Sequence, residues 1–131
     1  MAAIQAQIWK GSTFTIERKE GKAPRTVIFH LAGPFTARDM FNSLTPLAVR
    51  NMFEFVAGDN PPSLNIFDLT LVPYMDSAGI GMIVSHYVRC QDKGIRMIAA
   101  GVSPRVLQLF KITKVDTFIP MTATVEEADV D

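Results

Sequence analysis

The run Tyr74-Met75-Asp76-Ser77-Ala78-Gly79-Ile80-Gly81 sets a hydroxyl beside a carboxylate and two glycines. It lies between an apolar stretch, Leu64 to Leu69, and a helical pattern that begins near Ser77. A serine at such a strand-to-helix turn stands next to backbone N–H groups that have no partner inside the helix. Its hydroxyl can cap the helix, and a phosphate added to it would sit at the positive end of the helix dipole. The chemistry such a hydroxyl offers is modification of the protein itself, an on/off switch made from one side chain. A kinase needs an exposed hydroxyl on accessible backbone, and Ala78, Gly79 and Gly81 would let a partner come close. Each glycine there costs about 1 kcal/mol relative to alanine, which calls for a reason such as close packing. The residues alone leave two readings open. Ser77 is either a switch or only a cap, with the glycines letting the helix lie near the sheet.

Other chemistries lack residues. The two histidines sit apart: His30 in an apolar strand, where it reads as a paired core or edge residue, and His86 on the helix face opposite Ile83 and Tyr87, where it reads as exposed. Neither has metal-ligand spacing, and the single cysteine, Cys90, cannot build a zinc site. No metal or cofactor is expected. A P-loop sequence is absent, and Gly79-Ile80-Gly81 is only a fragment of a dinucleotide fingerprint, placed after the third strand. A nucleophile elbow would need glycine where Met75 stands. A phosphoacceptor aspartate domain would need an acidic pair at the end of the first strand, so Asp68 reads as an ordinary polar residue leaving the sheet. A catalytic role is not expected.

The elements that must position Ser77 follow from periodicity. Phe14, Ile16 and Arg18 alternate with Thr15 and Glu17, the period of a half-buried strand. Thr26 to Leu31 is apolar on both faces, as in a strand inside a sheet. Thr36-Ala37-Arg38-Asp39 is a capping box with Asp in place of Glu and opens a helix that either kinks at Pro46 or restarts at Thr45-Pro46. Gly58 to Ser63 is a loop. After Leu64–Leu69, a helix carrying Ile80, Ile83, Val84, Tyr87 and Val88 stops at Lys93-Gly94. Ile95–Ala100 is the fourth strand, Ser103-Pro104 caps the next helix, Phe118–Met121 is an edge strand because of Pro120, and Thr124–Glu127 caps a final short helix. Strands alternating with helices predict an α/β fold with a mixed, largely parallel four- to five-stranded sheet and helices packed against it.

The chain has 131 residues, a length that suits one domain. Residues 1–12 read as a lead-in and 13–131 as the single domain. Lys plus Arg and Asp plus Glu number 13 each, so no net charge draws the chain to nucleic acid or an anionic membrane. A neutral surface resists association poorly, which favours a protein partner and allows a homodimer. The lone cysteine suits a reducing compartment. Residues 1–7 lack the pattern of a signal peptide, and no run reaches the roughly 18 apolar residues of a membrane span. A cytoplasmic location is expected.

The stretch Asn65-Ile66-Phe67-Asp68-Leu69-Thr70, followed by Tyr74 to Gly81, resembles the STAS domain, and within it the bacterial anti-sigma factor antagonists. Those carry Asp-Leu-Ser, a short loop, then Met-Asp-Ser-Ser/Ala-Gly-Leu-Gly. The likeness extends through Gly101–Val106, Leu109–Thr113 and Thr124–Ala128, covering residues 13–128. It implies an antagonist that binds an anti-sigma factor serine kinase when unphosphorylated and lets go when Ser77 is phosphorylated. A PP2C-type phosphatase would reverse the step. The implied contact residues are Asp76, Ser77, Ala78, Gly79, Ile80 and Met82. Two departures stand out: Gly33-Pro34-Phe35-Thr36 replaces the family's Gly-Glu-Leu-Asp, and region 37–63 is longer than usual. The competing readings are a non-switching scaffold in a multi-protein signalling complex and a ligand- or nucleotide-binding module at the same helix end.

Overall fold

Thr26–Ala32 and Leu64–Leu71 are the strands apolar on both faces, and they lie side by side in the middle of the sheet. The structure is a computed structural model that describes residues 7–10, 13–41, 53 and 62–130. Within them the elements are β1 (Gln7–Lys10), β2 (Thr15–Glu20), β3 (Thr26–Ala32), α1 (Ala37–Phe41), β4 (Leu64–Leu71), α2 (Ser77–Asp92), β5 (Arg96–Ala100), α3 (Pro104–Ile112), a 3-10 turn (Val115–Thr117), β6 (Met121–Thr122) and α4 (Val125–Ala128). The strands line up in chain order. β1 to β3 are antiparallel, and β3 to β6 are parallel. The α/β class and the mixed sheet are as the sequence predicts. The sheet has six strands where four to five are expected. β1 lies within the segment read as a lead-in. The edge strand expected at Phe118–Met121 is instead β6, which starts after Pro120, because Phe118 closes the 3-10 turn. The expected break at Thr45-Pro46 and most of the Gly58–Ser63 loop lie outside the described residues.

Side-chain alternation sorts the strands into two faces. One face carries Phe29 and Leu31 of β3 and Phe67 and Leu69 of β4. It packs against Ile80 and Ile83 of α2 and Val106 and Phe110 of α3. The other face carries Ile28, Ile66 and Ile98, covered at one end by Ala128 and Val125 of α4. The carboxylate of Asp129 holds that end down, accepting hydrogen bonds from the backbone of Lys22 (2.7 Å) and Ala23 (2.9 Å) in the β2–β3 turn.

The predicted caps form. In α1, Asp39 N–H donates to Thr36 Oγ1 (3.2 Å), and the Thr36 hydroxyl donates back to the carboxylate (2.5 Å). The Thr13 hydroxyl donates to the other Asp39 oxygen. Hydrogen bonds from Thr13 and then Thr36 hold the Asp39 carboxyl below the usual carboxylate range. Ser103 accepts from Val106 N–H (3.3 Å), with Pro104 at the first helical position. Thr124 accepts from Glu127 N–H (3.2 Å).

His86 departs from expectation. It is 1 % exposed, among the rings of Phe29, Phe53 and Phe67. Ile83, His86 and Cys90 lie three and four residues apart, so they share the inward face of α2. Asn65 Nδ2 donates to the Val27 carbonyl (2.9 Å), which leaves Asn65 Oδ1 to accept from His86 Nε2–H at 2.7 Å. Burial, aided by Arg89 and Lys93, lowers the His86 pKa to about 3, so the ring is neutral. His30 is paired, as the sequence suggests: Nδ1–H donates to Asp68 Oδ2 at 2.5 Å across the β3–β4 ladder.

Candidate functional site

The loop from β4 to α2 is fixed by the loop that leaves β3. Phe35 N–H donates to the Tyr74 carbonyl (3.0 Å), Asp76 N–H donates to the Phe35 carbonyl (3.4 Å), and Phe35 and Met75 form a parallel bridge. Phe35 is itself fully buried and stacks on Phe14 with ring centroids 5.2 Å apart. The frame of the site is therefore anchored in the core.

Asp76, not Ser77, caps α2. Its backbone is extended, and its Oδ1 accepts from the N–H groups of Ala78 (3.0 Å) and Gly79 (3.1 Å). Its Oδ2 accepts from Ala37 N–H (3.0 Å), in the first turn of α1. One carboxylate thus satisfies amides at the starts of two helices. The reading of Ser77 as the cap is corrected by one position. An aspartate offers two oxygens, and here a second helix start stands within reach of the spare one. Ser77 is the first residue of α2, exposed, and its hydroxyl has no hydrogen-bond partner among the described residues.

The neighbours of Ser77 divide by facing. Asp76, Ala78 and Met82 are half-buried, while Gly79 and Ile80 are buried. Gly79 has a structural reason: a Cβ there would lie 2.3 Å from the Phe35 carbonyl oxygen, so only glycine lets α2 start this close to the β3 loop. Gly81 has none of that kind, because a Cβ at its position would meet nothing within 4 Å. It is exposed, one turn on from Ser77, and Ser85 and Val88 continue the same outward stripe. Successive spacings of four, from Ser77 to Gly81 and from Gly81 to Ser85, are the signal that marks them as surface companions. Tyr74 is also joined to α3 across space: the Arg105 guanidinium lies over its ring at 4.7 Å. No local sequence pattern announces that contact.

The charged residues that might have made a different site have other partners. Asp68 holds His30 and accepts from Thr70 N–H (3.0 Å). Among the described residues no group of three or more His, Cys, Asp or Glu side chains could hold a metal ion. Burial raises the Cys90 thiol pKa to about 11, which leaves it a poor nucleophile. No helix among the described residues is long and apolar enough to cross a membrane.

Comparison with known proteins identifies the family and the fold. A model of the STAS domain matches residues 19–128. An anti-sigma-B factor antagonist of Listeria monocytogenes is 36% identical over 52 residues, which are 40% of this chain and 46% of the relative. The match thus spans just under half the length of that relative. Two solved structures share the fold at low identity. An anti-sigma factor antagonist from Mycobacterium paratuberculosis superposes with a TM-score of 0.68 at 16% identity, covering 88% of this chain and 91% of its own. The Bacillus cell fate determinant SpoIIAA in its phosphorylated form gives 0.59 at 18%, covering 95% and 96%.

Proposed function

The chain belongs to the STAS domain family and is similar to its anti-sigma factor antagonists; on that premise we propose that it is a regulatory binding module switched at Ser77. Unphosphorylated, it docks on an anti-sigma factor serine kinase through the start of α2, and so acts on transcription indirectly from the cytoplasm. Phosphorylation of Ser77 releases it, and a PP2C-type phosphatase restores it. One observation carries this reading. The seryl hydroxyl stands exposed at the first position of α2 with no hydrogen-bond partner among the described residues, because Asp76 already does the capping.

The physics of release is electrostatic. A phosphoryl group adds about −1.5 to −2 charges beside the Asp76 carboxylate. Charge of one sign gathered in a contact that sheds water opposes docking by several kcal/mol. The helix dipole favours the same group within the free protein, so the fold tolerates what the interface does not. Gly81 supports the reading as well, since it leaves open space on the face that Ser77 shares. Ala78 and Met82 add half-buried apolar surface beside it, while Asp76, Gly79 and Ile80 shape the site from beneath.

The test uses the kinase-like ATPase encoded nearest to this chain. With ATP, mass spectrometry is expected to place one phosphate on Ser77. Calorimetry is expected to show Ser77→Ala binding the kinase like the parent and Ser77→Asp binding at least about tenfold more weakly, a loss of roughly 1.4 kcal/mol. Phosphate on another residue, or equal affinity for the two variants, refutes the switch.

A further inference from the structure

A groove of about 310 Å³ runs between Tyr74 and Met75 on one side and Arg105, Gln108, Leu109 and Ile112 of α3 on the other. Helix α3 turns Val106 and Phe110 into the core, which leaves its outer face to line this groove. Ile112 stands 70% exposed there. One exposed isoleucine is ordinary. Here it adjoins Leu109 and the ring of Tyr74, and together they supply the apolar part of a lining that Arg105 and Gln108 make mixed.

Charge supplies the second observation. Between Pro104 and Val115 the chain carries Arg105, Lys111 and Lys114 and no carboxylate, although acids and bases balance over the whole sequence. All three cations are exposed. Among the described residues none of these three cations has a carboxylate partner. Arg105 is held at the groove's edge by its stacking on Tyr74, and a guanidinium fixed this way can take a carboxylate by its two-pronged edge. The groove is continuous with the switch, since Tyr74 and Met75 belong to the loop that presents Ser77.

We propose that this groove is the second half of the docking surface, and that it takes a short segment of the anti-sigma partner pairing an apolar side chain with an adjacent carboxylate. The inference rests on the reading of Ser77 as the docking switch. The apolar side chain lies on Leu109, Ile112 and Tyr74, and the carboxylate meets Arg105.

A ¹⁵N-labelled sample titrated with an end-blocked Glu-Leu-Asp-Phe-Glu peptide tests the groove without the kinase. Amide shifts are expected at Tyr74, Arg105, Leu109 and Ile112, with the affinity at least tenfold lower for Arg105→Glu and for Ile112→Ser. Both side chains are exposed, and each variant's own spectrum verifies its fold. A peptide with Lys in place of each acid should shift nothing. No shifts, shifts mapping elsewhere, or equal shifts from the lysine peptide overturn the proposal. The same resonances moving as protein concentration rises without peptide would assign the groove to a second copy, and also overturn it. Missing phosphate on Ser77 is a different result and sinks the switch reading instead.

Discussion

Asp76 is the residue on which the geometry of the site turns. Its two oxygens serve three amides, two in α2 and one in α1. Removing them in Asp76→Ala leaves those N–H groups to find water, at a cost of roughly 2 kcal/mol. Asp76→Asn retains one acceptor oxygen and is expected to lose less. Urea unfolding of the three proteins checks the order, and Asp76→Ala as stable as the parent would contradict it. The sequence shows two cap-forming residues side by side and cannot say which is the cap, because the deciding contact, to Ala37, is thirty-nine residues away. Position of the hydroxyl was legible; its freedom was not. His86 was hidden for a related reason, since its partner Asn65 lies on a strand that the helix pattern does not mention.

At the scale of elements, α2 is set against the β3 loop by one glycine and left bare by another. Gly79→Ala would drive a methyl into the Phe35 carbonyl oxygen, and the helix start must shift, at about 1–3 kcal/mol. Gly81→Ala meets open space and removes a flexible helix residue, so it should stabilise by about 1 kcal/mol. The same change is expected to weaken kinase docking. Denaturation midpoints moving in opposite directions for the two variants would bear this out; a shared direction would not. Elements with local signals were readable in advance. Thr36, Ser103 and Thr124 are caps because the needed oxygen and amide lie within three residues of each other. β1 was not, because a four-residue edge strand is defined mainly by its ladder with β2, a partner beyond any local window.

For the molecule as a whole, buried neutral His86 makes stability depend on pH. Unfolded, the ring takes a proton below its ordinary value near 6.5; folded, it resists until about 3. The unfolded chain therefore binds more protons across that window. Stability from this group is full above pH 6.5 and falls as the pH drops, by up to about 1.4 kcal/mol per unit. Asp39 acts in the same sense at lower pH: its depressed carboxyl stabilises above the ordinary value of 3.8, and that contribution is lost as the pH falls through its folded value. Urea midpoints of the parent should decline from pH 7 to 4.5, and His86→Gln, though less stable at pH 7, should decline less steeply. Parallel slopes would exclude the histidine as the cause.

The double clasp of Asp76 bears on how an enzyme could find its target. Ser77 is displayed by Phe35 and Ala37 as much as by its own loop, so on the proposed reading a kinase would meet the acceptor as a solid shape and not as linear text. A synthetic fragment copied from residues 70–85 would carry every letter of the motif and none of the scaffold that holds it out.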